Sequence, residues 1–195
     1  MSDQQASVFR NPEMLVGLSA VLIGLAALGV SLFEANLMRQ EQRAAVLPIV
    51  ELSQSSDLAD TQTNTAVYKF SLHAANVGIG PATVRDFVVL VDGVHQPTWQ
   101  AAMRAITETD EGLDYVQSWI NGRTIPPGGN VAMFEYTGPI NLAKIATNPK
   151  QPRLRFAACF CSVFAECWRT EFGAAGAIEA ADDCVANPDV ELFQE

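Results

Sequence analysis

One uncharged stretch constrains this chain more than any other feature. Residues Met14 to Phe33, MLVGLSAVLIGLAALGVSLF, contain no charge and no proline. As a helix rising 1.5 Å per residue the stretch is roughly 30 Å long, the thickness of a bilayer's hydrocarbon core. The core helix of a soluble protein would carry a polar face, and this one is apolar all round. A cleaved signal peptide would have a basic start, a shorter apolar region and a small-x-small exit. Here the start is MSDQQASVFRNPE, with one Arg, and the exit is LFEANLMRQEQR. The expectation is an uncleaved single span over 14–33, after a short tail at 1–13 and before a helical linker at 34–45. Basic residues near its ends almost balance, with Arg10 before and Arg39 and Arg43 after, so charge alone leaves orientation nearly tied.

Within the span, Gly17, Ala20, Gly24, Ala27 and Ser31 recur at alternating steps of three and four. That spacing puts all five on one helical face. Lipid supplies no hydrophobic drive between helices, so association depends on close backbone approach, which small side chains permit. The stripe is expected to pack against another transmembrane protein or against copies of this chain. A span rich in Gly and Ala can also align small residues by chance.

The rest of the chain must then be a modest domain. Of 195 residues 49% are apolar and only 17% charged, which excludes extensive disorder. The formal net charge of −10 argues against nucleic acid, whose phosphates call for clustered Lys and Arg. The same sign disfavours adsorption to anionic lipid, leaving the apolar span as the contact with membrane lipid.

Past the linker, VLPIVELSQ opens a strand regime and SSDLADTQTN reads as a polar loop. In TAVYKFSLHAANVG, Tyr68, Phe70, Leu72 and Ala74 alternate with Lys69, Ser71 and His73, the pattern of a half-buried strand. TVRDFVVLVDG is a β-branched central strand turned by Asp92-Gly93. Trp99, Ala102, Met103 and Ile106 share a helical face behind the candidate cap Thr98. YVQSWINGRTIPPGG reads as a connection, NVAMFEYT as a strand, and PINLAKIA as one or two helical turns starting at Pro139. RLRFAACFCS and ECWRTEF form a closing hairpin. The tail over 176–195 has acids and no base and reads mostly as a solvated arm. Strands without βαβ spacing predict a mainly β fold: an antiparallel β-sandwich over 46–175 with short helical insertions, behind one transmembrane helix.

VLPIVELSQ after a helix, then NVGIGPATVRDFVVLVDG, IPPGG and CFCSVFAECW, resembles a group of small bacterial single-pass membrane-anchored proteins. The most specific piece is Asn76-x-Gly78-x-Gly80-Pro81-Ala82. The resemblance implies an immunoglobulin-like sandwich and carries over no functional residue. It also implies Gly at the hairpin turn, where this chain has Ala165.

Three of the four cysteines lie in CFCSVFAEC. On the first hairpin strand Cys159 and Cys161 share the face opposite Phe156, Ala158 and Phe160. If SVFAE is the loop, Cys161 lies across from Cys167, and opposed Cα atoms roughly 4.5–5.5 Å apart suit a disulfide. Cys159 and Cys184 would then form a second bridge pinning the tail. Four cysteines allow three pairings, and only the facing argument prefers this one. Zinc bound by four thiolates is an alternative, although C-x-C lacks the C-x-x-C knuckle. A catalytic thiol would need a base, from His73 or His95, and Glu166 beside Cys167 works against it. Reduced thiols in a cytoplasmic domain complete the alternatives. Disulfides would put the head in an oxidising compartment, tipping orientation toward a bacterial plasma (inner) membrane protein with a periplasmic head.

GIGPA reads as a turn or bulge rather than an anion nest, having no helix behind it. Asp57 with Asp60, and Asp110 with Glu111 and Asp114, are acidic loops without EF-hand spacing. Trp99, Met103 and Trp119 are core or pocket lining. No motif calls for a cofactor or a resident metal, and no catalytic signature appears. The sequence points to a non-enzymatic accessory or scaffolding subunit. The alternative is a membrane-tethered module sensing a ligand or peptide.

Overall fold

The structure, a computed structural model, describes residues 12–60, 66–109, 113–147, 152–172, 178–184 and 193–194. The chain divides into two units, Met1–Ala44 and Ala45–Glu195.

The first unit is one helix, α1 (Pro12–Ala44), of 33 residues. Glu13 in its first turn and Arg43 in its last match the helix dipole. Pro48 forbids continuation past the end. At about 50 Å the helix exceeds a hydrocarbon core, and the span and linker foreseen at 14–33 and 34–45 are one element. It is long and apolar enough to cross a membrane, with none of its most apolar window buried. Ser19 donates its hydroxyl to the Val16 carbonyl at 2.8 Å, so this polar side chain of the span is satisfied within the helix.

The second unit is mainly β. Its strands are β1 (Val50–Asp60), β2 (Val67–Asn76), β3 (Ala82–Val91), β4 (Val94–Gln96), β5 (Tyr115–Gln117), β6 (Thr124–Ile125), β7 (Asn130–Gly138), β8 (Leu154–Cys161), β9 (Cys167–Glu171) and β10 (Glu179–Ala181). Two short helices, α2 (Trp99–Thr107) and α3 (Leu142–Ala146), interrupt them. One sheet has the order β1-β2-β7-β5, the other β10-β9-β8-β3-β4 with β6 also on β3. All paired strands are antiparallel.

The buried faces meet in one cluster. Phe70, Leu72 and Ala74 of β2 and Met133, Phe134 and Tyr136 of β7 join Phe87 and Val89 of β3 and Phe156 and Phe160 of β8. Trp99, at the start of α2, bridges the sheets, its ring 6.0 Å from Phe87 and 5.1 Å from Phe134. The buried stripe of α2 is Trp99, Ala102, Met103 and Ile106, and Thr98 caps it by accepting from the Ala101 amide. The register of β3 against β8 shifts between Val84 and Asp86. This bulge turns the exposed Arg85 out of phase and keeps Phe87, Val89 and Val91 on the core side.

Several expectations need correction. SSDLAD is not a loop but the second half of β1, paired with β2 as far as Asp60–Val67. An edge strand with a solvated face tolerates that polarity. The connection after Tyr115 contains β5 and β6, each too short to register as a pattern. Helix α3 starts at Leu142 under the cap Asn141, not at Pro139. The acidic tail is no free arm: β10 extends the sheet at β9, and Phe193 is buried against Phe87 and Trp99 at 5.4 and 5.1 Å. Residues Asp110 and Glu111 lie outside the described residues.

Candidate functional site

The hairpin β8–β9 positions the cysteines. Cys161 and Cys167 are direct cross-strand partners, with SVFAE as the loop between them. Ser162 organises that loop. Its amide donates to the Glu166 carbonyl at 2.8 Å, and its hydroxyl accepts from the Phe164 and Glu166 amides at 3.2 and 3.3 Å. Ala165 completes the turn at φ 59°, in the left-handed region that favours Gly.

Cys161 and Cys167 lie at disulfide distance, 2.10 Å between sulfurs and 4.0 Å between Cα atoms. Cys159 and Cys184 do likewise, at 2.06 and 5.5 Å. Since β10 pairs on the edge of β9 away from β8, the Cys159–Cys184 pair ties the segment after Ala181 back to β8. The two pairs touch: Cys161 Sγ is 3.6 Å from Cys184 Sγ. Cys161, Cys167 and Cys184 offer sulfurs all within 4.8 Å of one another. Paired as disulfides they offer no thiolate to a metal. Cys159 and Cys161 are buried at 2% and 6% exposure, while Cys167 and Cys184 are half-buried.

Asp86 joins this face unannounced by the sequence. It is the cross-strand partner of Cys159, which in turn faces Arg169 on β9. The carboxyl is buried, which raises its pKa above the ordinary value, while Arg169 and the Phe87 amide pull it down by less. The signal lay in the β3 bulge, which no periodicity reveals. The candidate bases for a thiol are placed elsewhere or not on the cysteines. His73 lies on the other sheet, its Nε2 2.9 Å from the Ser71 hydroxyl, and His95 lies on β4, beyond β3 from β8.

A second constellation is the Asn76 motif. Asn76 is buried, and its Nδ2 donates to the Gly80 and Ile125 carbonyls at 2.8 and 2.9 Å. Its Oδ1 accepts from the Gly78 amide at 3.1 Å and the Ile49 amide at 3.3 Å. The incoming segment also pairs by backbone, the Val77 and Ile79 amides donating to the Ile49 and Leu47 carbonyls. A Cβ on Gly78 would meet Ile49 N at 2.4 Å, and one on Gly80 would meet Val46 O at 1.8 Å. The glycines are therefore required by close backbone approach. The motif pins Val46–Ile49, the first residues of the β unit, to the β2–β3 connection.

The stripe of Gly17, Ala20, Gly24, Ala27 and Ser31 lies wholly on exposed helix, and a Cβ on Gly17 or Gly24 would meet nothing. Trp99 and Met103 are core, whereas Trp119 is exposed with its indole N–H on the Asn121 carbonyl, so the three do not share a pocket. An open cleft of about 430 Å³ lies instead between the β1–β2 ladder and α3, with Asp57, Tyr68, Lys69, Asn141 and Lys144 in its lining. No protein-family model matches this chain, and no curated protein matches it.

Proposed function

We propose that the chain is a non-enzymatic, membrane-anchored accessory or scaffolding subunit. Its helix packs in the bilayer on another transmembrane protein or on its own copies, and its β unit makes protein contacts outside. One observation carries the reading: α1 presents an uncharged surface over 14–33 with none of its most apolar window buried. A surface of that kind requires lipid or another helix. Gly17, Ala20, Gly24, Ala27 and Ser31 supply the close-approach face. The head is read as an immunoglobulin-like sandwich on its two antiparallel sheets with a shared core and on the NVGIGPA pattern. Two cysteine pairs at disulfide distance support a periplasmic head on a bacterial plasma membrane.

The test is purification of the full chain in detergent from its native membrane. A stoichiometric membrane partner, or a defined oligomer, supports the reading. Gly24→Leu should weaken that association by ~1–2 kcal/mol, on the order of tenfold, while Ile23→Leu off the stripe leaves it unchanged. A monodisperse monomer without a partner overturns it. The cleft beside α3 favours a second reading, a membrane-tethered sensing module, which the same preparation tests by retention of a small molecule or peptide there.

A further inference from the structure

The two sulfur pairs are adjacent, and each joins a buried cysteine of β8 to a half-buried one. Cys167 is half-buried at the hairpin end, next to Val163 and Phe164, which are 64% and 45% exposed. Its partner Cys161 is buried, and Cys161 Sγ lies 3.6 Å from Cys184 Sγ of the other pair. Thiol–disulfide exchange proceeds by attack of a thiolate on a neighbouring sulfur, and 3.6 Å is close to the separation of a near-attack arrangement. We propose that the four sulfurs form an exchange centre, in which a dithiol reductant attacking Cys167 moves the surviving disulfide to Cys161–Cys184.

One reductant sulfur, as thiolate, bonds to Cys167 Sγ, and the Cys161–Cys167 bond breaks, leaving Cys161 as thiolate. Cys161 bonds to Cys184 Sγ, and the Cys159–Cys184 bond breaks, leaving Cys159 as thiolate. The second reductant sulfur attacks the first, releasing Cys167 and closing the oxidised reductant. The dithiol loses two electrons and two protons. The chain gains both electrons by exchanging two disulfides for one, and the protons end on Cys159 and Cys167. Asp86, the cross-strand partner of Cys159, sets a buried carboxyl on the face where Cys159 is released. Val163 and Phe164 beside Cys167 offer an apolar rim suited to a dithiol carried on a polypeptide. The consequence is mechanical. The attachment of Cys184 to β8 would pass from Cys159 to Cys161, two residues along, with its Sγ closing on Cys161 Sγ from 3.6 Å to bonding distance. Nothing in this inference depends on what α1 packs against.

The test uses the full chain in detergent with one equivalent of dithiothreitol, then acid quenching, alkylation and cleavage after Glu166 and Arg169 for mass spectrometry. The expected product carries alkylated Cys159 and Cys167 and a Cys161–Cys184 bond. A half-reduced chain that keeps Cys159–Cys184 or Cys161–Cys167 overturns the proposal. A second variant fixes the geometry independently: the double substitution Cys159→Ser and Cys167→Ser should oxidise to Cys161–Cys184 without rearrangement. Two free thiols in that variant under air overturn it equally.

Discussion

Ala165 is a single methyl group in the wrong place. At φ 59° its Cβ crowds the neighbouring carbonyl, a cost of about 1–2 kcal/mol that Gly avoids. Gly also loses more entropy on folding, so Ala165→Gly should stabilise the unit by a net ~0.5–1 kcal/mol, seen as a raised urea midpoint. An unchanged or lowered midpoint shows that the turn is not held left-handed. Asp92 shows the reverse case. It too is left-handed, at φ 52°, but in the Asp-Gly turn such angles are the favoured ones. Its carboxylate accepts from Arg153 Nε at 3.0 Å and Nη2 at 2.8 Å, and Arg153 also donates to the Ala105 and Ile106 carbonyls near the end of α2. The Arg153 hydrogen bonds hold the Asp92 carboxyl below its ordinary value. A carboxyl depressed in the folded state contributes stability above its ordinary value, and that contribution is lost as pH falls through the depressed one. Asp92→Asn keeps the turn and removes the charge. Wild type should therefore be the more stable at neutral pH, with the difference vanishing in strong acid. Unfolding midpoints taken between pH 7 and pH 2 check it, and a difference that persists unchanged at the acid end counts against the ion pair.

At the scale of elements, what was legible follows from the strength of periodicity. The span announced itself by length, and α2 by four apolar residues that fall on one side of a helix, the same four that are buried. Strand β2 alternated cleanly because one face meets the core and the other does not. The second half of β1 was illegible because an edge strand needs only backbone partners, and Ser55, Ser56 and Asp57 supply those whatever their side chains. Strands of two or three residues such as β6 and β10 exist because a longer neighbour templates them, and they leave no pattern of their own. The facing of Cys161 and Cys167 could be read from strand alternation, whereas the contact between the two sulfur pairs could not. It depends on where β10 docks, and only β9's free edge decides that.

For the whole molecule the question is how the terminal residues belong to the fold. Their composition argues for solvent, with acids and no compensating base, yet they attach through β10, Cys184 and Phe193. The last attachment is the strongest in packing. Phe193 is 2% exposed and meets Phe87 and Trp99 edge-on, the aromatic pair that lies between the two sheets. The Gln194 amide donates to the Pro97 carbonyl at 2.7 Å, and Asn121 Nδ2 donates to the Phe193 carbonyl at 3.0 Å. A ring so placed closes the end of the core over Trp99, and removing it leaves a cavity that rigid strands cannot fill. Phe193→Ala should therefore destabilise the unit by about 3 kcal/mol, as expected for a buried Phe. Ending the chain after Cys184 should cost at least as much, since it also removes the hydrogen bonds to Pro97 and from the Asn121 side chain. Thermal or urea unfolding of the detergent-solubilised chain measures both. A truncated chain as stable as the full one would mean that the core closes without Phe193 and that its last residues are no part of the fold.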